Sequence, residues 1–212
     1  MAYNTFRKTD MEAERELALY LDKYLYSQPI FTRSDRTDTA SEQINGSDII
    51  VSIPSLGISD AVVDEKASIY YINKNLPTFV LELSFINKVK TESLGWFLKD
   101  DLSTEYYLFQ WIKADVEKPF DVTSEKITEI ECVLVSKKKL REYFDKQGYS
   151  VDKLKSISDA IRKNGVIPQT GTNDFKFCYT ETFAEKPINI VLRKDVYINL
   201  SEAKFLVKPN YK

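Results

Sequence analysis

The chain has no histidine among its 212 residues. Ser-His-Asp hydrolysis, Cys-His proteolysis, histidine-ligated zinc sites and the histidine-dependent nucleases all need that side chain. A catalytic site in this protein must therefore be built from Asp, Glu, Lys, Tyr or Ser. The sequence also lacks GxGxxG and the phosphate-binding pattern GxxxxGK followed by Ser or Thr, so nucleotide-cofactor folds have no support.

Cysteines and long apolar runs are scarce as well. Cys132 and Cys178 are far apart in a sequence with no other cysteine, which predicts buried thiols and neither a disulfide nor a metal clip. No run approaches the length of a membrane span, and residues 1–8 lack the apolar stretch of a signal peptide. We therefore expect a cytoplasmic protein that makes no membrane contact.

Length and composition predict a single domain, and the pattern of helix-like and strand-like segments predicts a mixed α/β fold with a central sheet. With 43% hydrophobic residues the chain can bury a sizeable core, and no segment is long or polar enough to link two folded units. Residues 49–53 and 58–67 are two apolar runs on either side of the turn Pro54-Ser55-Leu56-Gly57, a pattern that predicts two strands joined by a short turn.

Charged residues at defined positions in these two runs predict a site. Asp48 stands at the start of the first run, and Asp64-Glu65-Lys66 lies within the second. Because side chains alternate along a strand, Asp64 and Lys66 share a face while Glu65 points away from it. Asp48 can approach that shared face from the neighbouring strand.

Carboxylates that converge on apolar walls repel each other and lose hydration, so a cation is expected between them. Mg²⁺, or Mn²⁺ as a substitute, binds one or two carboxylates, water and phosphate, and it activates water and stabilises charge on a phosphate. Lys66 is then placed to orient or deprotonate that water. The alternative is that Asp64 and Lys66 simply pair with each other or with solvent on an exposed strand, in a chain with 29% charged residues.

The strand-like run 78–85 is apolar except for Glu82. An isolated acid in a central strand needs a partner. Glu82 is therefore a candidate auxiliary acid, either as a further metal ligand or as the counter-ion of Lys66. On an edge strand it would face water instead.

These residues resemble the PD-(D/E)XK nuclease superfamily, which includes type II restriction enzymes, Holliday junction resolvases and many phage and repair nucleases. The resemblance covers residues 9–85. In that family an N-terminal helix, often carrying a glutamate, precedes a hairpin with an aspartate at the start of its first strand and the (D/E)-x-K triplet on its second. The resemblance implies a restriction endonuclease-like α/β core, a central mixed sheet flanked by helices, in which Asp48 and Asp64 bind Mg²⁺. Lys66 would be the family's lysine, and the backbone carbonyl of Glu65 would face the metal. The family's proline is absent, since a serine precedes the first aspartate.

The opening segment predicts the family's helix. Thr9-Asp10-Met11-Glu12 has the spacing of a capping box, and apolar residues then recur on one helical face until Gln28-Pro29. Glu16 borders this stripe and is the candidate for the helix glutamate. Alternatively, Glu12, Glu14 and Glu16 merely favour the positive end of the helix.

The polar, turn-rich segment 31–43 predicts a loop that leads into the site. Arg33 and Arg36 are candidates for phosphate contacts, and Asp38 and Gln43 are candidates for bracing the first aspartate. Local pairing of solvated loop charges explains the composition equally well.

The charge distribution bears on a nucleic-acid partner. The chain is nearly neutral, with 30 basic and 32 acidic residues, whereas a dedicated nucleic-acid binder is usually basic. Residues 1–82 have a net charge of −5, residues 83–136 of −4 and residues 137–212 of +7. The basic final third predicts contact with a phosphate backbone across the site. The alternative is that Lys137-Lys138-Lys139 and its neighbours form the solvated face of helices.

The remaining elements follow from apolar patterning. Residues 86–99 mix lysines with aromatics, so Trp96 and Phe97 either stack on a base or fill the core. A helix is predicted over 103–114, a buried strand over 129–135, helices over 137–147 and 151–164, the second ending at Asn164-Gly165, and strands over 175–179 and 188–200.

We therefore expect a Mg²⁺-dependent nuclease that hydrolyses phosphodiester bonds in DNA, alone or as a homodimer. Its catalytic core would span about 9–136, with a basic C-terminal extension over about 137–212. The rival is a non-catalytic nucleic-acid or protein-binding module on the same scaffold, which metal binding would distinguish. A nuclease directed at RNA or at a nucleic-acid structure is a third alternative, which a substrate panel would resolve.

Overall fold

The computed structural model describes residues 3–37 and 46–209, with side chains from Met11 onward. These residues form a mixed α/β fold, as predicted, with four α-helices and ten strands in two sheets. The helices are α1 (Tyr3–Tyr24), α2 (Lys137–Lys146), α3 (Val151–Asn164) and α4 (Lys194–Leu200). The strands are β1 (Arg33–Arg36), β2 (Ile49–Ile53), β3 (Ile58–Ala67), β4 (Thr78–Ile86), β5 (Glu92–Leu94), β6 (Tyr106–Ala114), β7 (Ile127–Ser136), β8 (Phe175–Tyr179), β9 (Ile188–Arg193) and β10 (Ala203–Val207).

The chain divides into two units. The first comprises Met1–Leu76, Thr104–Val135 and Ser201–Lys212, and the second comprises Pro77–Ser103 and Ser136–Leu200. The second unit is thus made of two separate stretches of chain. Consequently β4, which carries Glu82, belongs to the sheet of the second unit and not to the sheet that contains β3.

The first unit is built on a mixed six-stranded sheet in the order β1-β2-β3-β6-β7-β10. Strands β1, β2 and β3 pair antiparallel, β3 and β6 pair parallel, and β7 and β10 pair antiparallel. Helix α1 supplies Leu17, Tyr20 and Leu21 to a core that also contains Val63 and Leu108 from the sheet. This packing places α1 over one face of the sheet and leaves the opposite face of β3 for Asp64 and its neighbours.

Three predicted elements are wrong. Residues 31–43 are predicted as a loop, but Arg33–Arg36 form strand β1, and residues 38–43 lie outside the described residues. Helix α1 also begins at Tyr3, earlier than the predicted cap at Thr9. Residues 106–114 form strand β6 instead of the predicted helix. Periodicity could not distinguish the two, because this run is buried almost throughout and its apolar side chains do not alternate with polar ones. Residues 194–200 form the short helix α4 instead of continuing β9. By contrast, β2, β3, β7, α2 and α3 lie where predicted, and α3 ends at Gly165 in the left-handed region, with φ of 69°.

The second unit contains the four-stranded sheet β5-β4-β9-β8, whose described neighbours pair antiparallel. Phe97 is fully buried there, with its ring centroid 5.5 Å from that of Phe144, which in turn lies 5.0 Å from Phe175. Phe97 therefore fills the core of this unit. Base stacking by this side chain is thereby excluded.

Both cysteines are free thiols, as predicted, although only Cys132 is buried and Cys178 is partly exposed. Burial raises the pKa of the Cys132 thiol well above its ordinary value. Within residues 3–37 and 46–209, none of the helices combines the length and the apolar character needed to cross a membrane.

Candidate metal centre

Asp48 immediately precedes β2, and its backbone is held from two sides. Its N–H donates to the carbonyl of Val63 on β3 at 3.0 Å, and its carbonyl accepts from the N–H of Thr37 at 3.1 Å. The Thr37 hydroxyl also donates to the carbonyl of Ser47 at 2.5 Å. Thr37 and Ser47 are both buried. The position of Asp48 is therefore fixed by the hairpin and by the residue that follows β1.

The carboxylates of Asp48 and Asp64 lie in one cluster with Lys66. Asp64 is only 3% exposed, and its Oδ1 accepts from Lys66 Nζ at 2.5 Å. The other oxygen, Asp64 Oδ2, is buried without a hydrogen-bond partner among the described residues. The structure thus brings together the three residues that the sequence places on one face. The direct pairing of Asp64 with Lys66 also occurs, but in a buried setting and not on an exposed strand.

Electrostatics in this cluster agree with close approach of the two acids. Burial and then the charge of Asp64 raise the pKa of Asp48 to about 6, against the opposing effects of Lys66 and the Glu65 amide. Burial lowers the pKa of Lys66, but the charges of Asp64, Asp48 and Glu14 raise it, and the net pKa lies above its ordinary value. Lys66 is therefore protonated at neutral pH. This state suits a group that orients water more than one that deprotonates it.

Strand β6 forms an aromatic wall beside the cluster. In the parallel register of β3 and β6, Asp64 lies next to Tyr107 and Lys66 next to Phe109, and residues paired in this way face the same side of a sheet. Both aromatic side chains are fully buried. The low polarity of these surroundings lowers the effective dielectric constant and so strengthens charge–charge interactions at Asp64.

The side chain of Glu65 points to the opposite face, as predicted. Its Oε1 accepts from the Tyr26 hydroxyl at 2.6 Å, and its Oε2 accepts from Arg36 Nη1 at 2.8 Å. Sequence reasoning missed Tyr26 and assigned Arg36 to phosphate. The available signal was Glu65 itself, since an acid at a core-facing strand position requires a buried partner.

The other candidate acids lie in different places. The carboxylate of Glu16, the candidate helix glutamate, accepts from the backbone N–H of Ser124 at 2.7 Å through Oε2. Glu14, one position off the predicted stripe, is the helix acid whose charge acts on Lys66. Glu82 lies on β4 in the second unit, so its role as an auxiliary acid stays a prediction. Asp38 and Gln43, the predicted braces of the first aspartate, lie outside the described residues.

Three of the predicted phosphate contacts are already engaged by other groups. Arg33 donates to Asp35 at 2.6 Å and to Asp60 at 2.8 Å, and Arg36 binds Glu65. Lys137, predicted to be either a phosphate contact or a solvated helix residue, is neither.

Lys137 is only 8% exposed, and its Nζ donates to the carbonyl of Leu102 at 3.3 Å. Its neighbour Lys138 has an 85% exposed side chain. Of these two lysines, only Lys138 therefore matches a solvated helix face.

The donor set near Asp48 fits a hard divalent cation. Within the described ranges, no three Asp, Glu or Cys side chains come together in an arrangement that holds a metal. The carboxylates of Asp48 and Asp64 lie in one cluster, and a backbone carbonyl adds a third oxygen. The Val63 carbonyl and the Glu65 N–H both point towards the β2 edge of β3, where Asp48 lies. The N–H and C=O of one strand residue point to the same edge of the strand. The Glu65 carbonyl therefore also faces the edge of β3 at which Asp48 lies. One or two carboxylates with further oxygen ligands and water are what Mg²⁺ takes in proteins.

Comparison with known proteins adds no family or function to this geometry. No protein-family model, no curated protein and no solved structure matches the chain.

Proposed function

We propose that this protein is a Mg²⁺-dependent nuclease of the PD-(D/E)XK type that hydrolyses phosphodiester bonds in DNA, with a restriction endonuclease-like core in the first unit. The chain order supports this proposal, because helix α1 precedes a hairpin with Asp48 at its start and Asp64 and Lys66 on its second strand. The single observation that carries it is the buried Asp64 Oδ2, which has no hydrogen-bond partner in the described part of the chain and belongs to the same cluster as Asp48.

The charges of the cluster favour a cation. Asp48, Asp64 and Glu14 bring three carboxylates to the neighbourhood of one ammonium group, that of Lys66. Like charges that are largely removed from water, as at Asp48 and Asp64, are tolerated when a cation neutralises them. Asp48 and Asp64 would hold Mg²⁺ together with the carbonyl of Glu65. When bound, the ion supplies water activation and charge stabilisation on phosphate.

The protein's own residues position the remaining groups. The Glu65 amide holds Asp48 Oδ2 at 2.7 Å, which leaves the other oxygen of that carboxylate for a ligand. Lys66 neutralises Asp64 through Oδ1, and because an ammonium group has three donor hydrogens in all, the same nitrogen can also donate to a water or a phosphate oxygen. The role assigned to Lys66 is therefore orientation of the attacking water.

The second candidate function, a non-catalytic binding module, is favoured by a different observation. Asp64 is almost fully buried and already paired with Lys66, as expected of an ion pair kept only for structure. In that case the acids have no reason to respond to Mg²⁺ or Mn²⁺. Metal binding separates the two functions.

Thermal and denaturant unfolding with and without Mn²⁺ tests the proposal. Wild type should gain about 1–3 kcal/mol of unfolding free energy at metal concentrations well above the dissociation constant, by mass action on the folded state. Asp64→Asn should gain far less. The matched control is Asp60→Asn on the same strand, whose exposed carboxylate binds Arg33 and Ser52, and it should respond like wild type.

Cleavage assays complete the test with duplex DNA, single-stranded DNA and RNA, each with Mg²⁺ and with a chelator. The proposal predicts metal-dependent cleavage of DNA that Asp64→Asn abolishes and Asp60→Asn retains. An identical metal response in wild type and Asp64→Asn would leave the acids as structural residues. Cleavage of RNA alone would retain the chemistry and reassign the substrate.

A further inference from the structure

Glu65 forms a buried ion pair at a strand position that packs against α1. Its side chain is 11% exposed, and both carboxylate oxygens are used, by the Tyr26 hydroxyl at 2.6 Å and by Arg36 Nη1 at 2.8 Å. Its neighbours on the same face of β3 include Val63, which belongs to the hydrophobic core. A valine or leucine would satisfy this position by packing alone.

Arg36 is fixed from its other side as well. Its Nε donates to both oxygens of Asp22, at 2.8 and 3.0 Å, and its Nη2 donates to the carbonyl of Ala18 at 3.2 Å. The guanidinium carbon lies 5.5 Å from the centroid of the Tyr26 ring. Arg36 on β1 therefore links α1 to Glu65 on β3. We call Arg36, Glu65 and Tyr26 the rear brace.

Stability alone does not account for the rear brace. Removal of two charges from water costs several kcal/mol per ion, and well-packed apolar residues of similar volume often give equal or greater stability than a buried ion pair. In some proteins, buried charged or polar groups instead fix one geometry among several. The question is which geometry the rear brace fixes.

Two sets of hydrogen bonds connect the rear brace to Asp48. Glu65 donates its backbone N–H to Asp48 Oδ2 at 2.7 Å. Thr37, the residue after Arg36, donates its N–H to the Asp48 carbonyl at 3.1 Å and its hydroxyl to the carbonyl of Ser47. The side chain of Asp48 and its backbone are thus held by Glu65 and by the neighbour of Arg36.

We propose that Arg36 and Glu65 are positioning residues that hold the Asp48 carboxylate in place for a divalent cation. This inference rests on the proposed metal-dependent function. Glu65 then has two roles. Its backbone N–H binds the Asp48 carboxylate, and its side chain is held by Arg36 and Tyr26 on the face of the sheet that α1 covers. Residues that orient metal ligands typically change metal affinity by about 10- to 100-fold when replaced.

The test is the double variant Arg36→Met/Glu65→Leu, which removes both charges and keeps apolar volume. Two quantities are measured: the Mn²⁺ dissociation constant by calorimetry, and the hydrogen-exchange rate of the residue 65 amide in metal-free buffer. The proposal predicts wild-type or higher resistance to urea, a Mn²⁺ dissociation constant raised at least about 10-fold, and amide exchange at residue 65 accelerated at least about 10-fold. Glu65→Gln, which preserves shape, replaces the double variant if the latter fails to fold.

The matched control removes another ion pair of the same sheet, Lys113→Met/Glu129→Leu, whose Nζ and Oε1 lie 2.8 Å apart. It should leave both quantities unchanged. Wild-type amide exchange at residue 65 in the double variant would overturn the positioning role, whatever the metal data show. If wild-type protein binds no Mn²⁺, the proposed function fails instead, and accelerated amide exchange in the double variant still supports the rear brace as the device that holds Asp48.

Discussion

Asp48 Oδ2 accepts a hydrogen bond of 2.7 Å from the backbone amide of Glu65, the central residue of the Asp64-Glu65-Lys66 triplet. This contact links the start of β2 to the triplet on β3 through a backbone donor. It also explains how the side chain of Glu65 can turn to the opposite face while its backbone stays at the cluster. Several properties of the cluster follow from this arrangement.

The first prediction concerns the pH dependence of stability in metal-free buffer. Burial and the charge of Asp64 raise the pKa of Asp48 from 3.8 to about 6 in the folded protein. Between these values the folded state binds more protons than the unfolded state, so the unfolding free energy falls as the pH rises through this window. The loss is complete above the folded pKa and amounts to about 3 kcal/mol.

Urea unfolding of wild type and Asp48→Asn from about pH 4 to about pH 7.5 measures this effect. Asp60 and Asp100 have lowered pKa values and give the opposite slope, so the quantity of interest is the difference between the two proteins. Asp48→Asn should become the more stable protein as the pH rises. A difference that does not change with pH would show that Asp48 ionises as freely in the folded protein as in the unfolded chain.

The sequence predicts the hairpin and its charges because both depend on local periodicity. Residues 49–53 and 58–67 form strands as expected, and the alternation of side chains is sufficient to place Asp64 and Lys66 on one face. The prediction fails where local pattern carries no information. Strand β6 is buried almost throughout, and such a run cannot be distinguished from a buried helix by periodicity.

The partners of the site depend on tertiary packing and are not visible in the sequence. Arg36 and Tyr26 meet Glu65 only because β1 lies two strands from β3 in one sheet and the residues that follow α1 cover the same face of that sheet as Glu65. Likewise, the different contacts of Glu14 and Glu16 depend on the rotation of α1, which the apolar stripe alone does not fix. Pairing of β4 in a separate sheet is a long-range property that strand patterning does not encode.

The second prediction separates the two neighbouring lysines at the start of α2. Lys137 is buried and donates to the carbonyl of Leu102, so Lys137→Glu should destabilise the protein by several kcal/mol, because it leaves a buried charge unpaired. Lys138 is exposed, and Lys138→Glu should leave the melting temperature nearly unchanged. If the basic final third contacts nucleic acid, Lys138→Glu should weaken binding across sequences without altering metal affinity.

Titrations at several salt concentrations check this expectation. Loss of one phosphate contact should reduce the slope of log affinity against log salt by about 0.9 for duplex DNA. Binding that is undetectable or independent of salt in wild type would argue for the protein-interaction alternative. An unaltered slope in Lys138→Glu would place the phosphate contacts elsewhere.

The third prediction concerns Gly95, which lies directly against the backbone of Glu82. A Cβ added at Gly95 would lie 2.4 Å from the Glu82 carbonyl oxygen and 2.5 Å from its carbonyl carbon. Neither atom can move without a shift of β4, so Gly95→Ala should cost at least about 2 kcal/mol. Gly171→Ala is the matched control, because nothing lies within 4 Å of its added Cβ. Equal melting temperatures for the two variants would contradict the close approach.

The last prediction uses Lys66 to separate charge balance from chemistry. Lys66→Met removes the ammonium that lies 2.5 Å from Asp64 Oδ1 and keeps an unbranched side chain. In metal-free buffer two neighbouring, largely buried carboxylates then lose this cation, and breaking a buried pair in this way typically costs about 3–5 kcal/mol. Mn²⁺ should restore most of that loss, since a metal between Asp48 and Asp64 supplies the missing positive charge, whereas cleavage should stay absent because no group orients the water.

Unfolding curves with and without Mn²⁺, together with cleavage assays, measure both effects on the same samples. Lys113→Met is the control, because Lys113 is exposed on β6 and binds Glu129, and its replacement should change neither the metal response nor cleavage. A Lys66→Met protein that is destabilised and not restored by Mn²⁺ would make the Asp64–Lys66 pair a structural feature only. Cleavage at the wild-type rate would remove Lys66 from the chemistry while leaving the two aspartates as metal ligands.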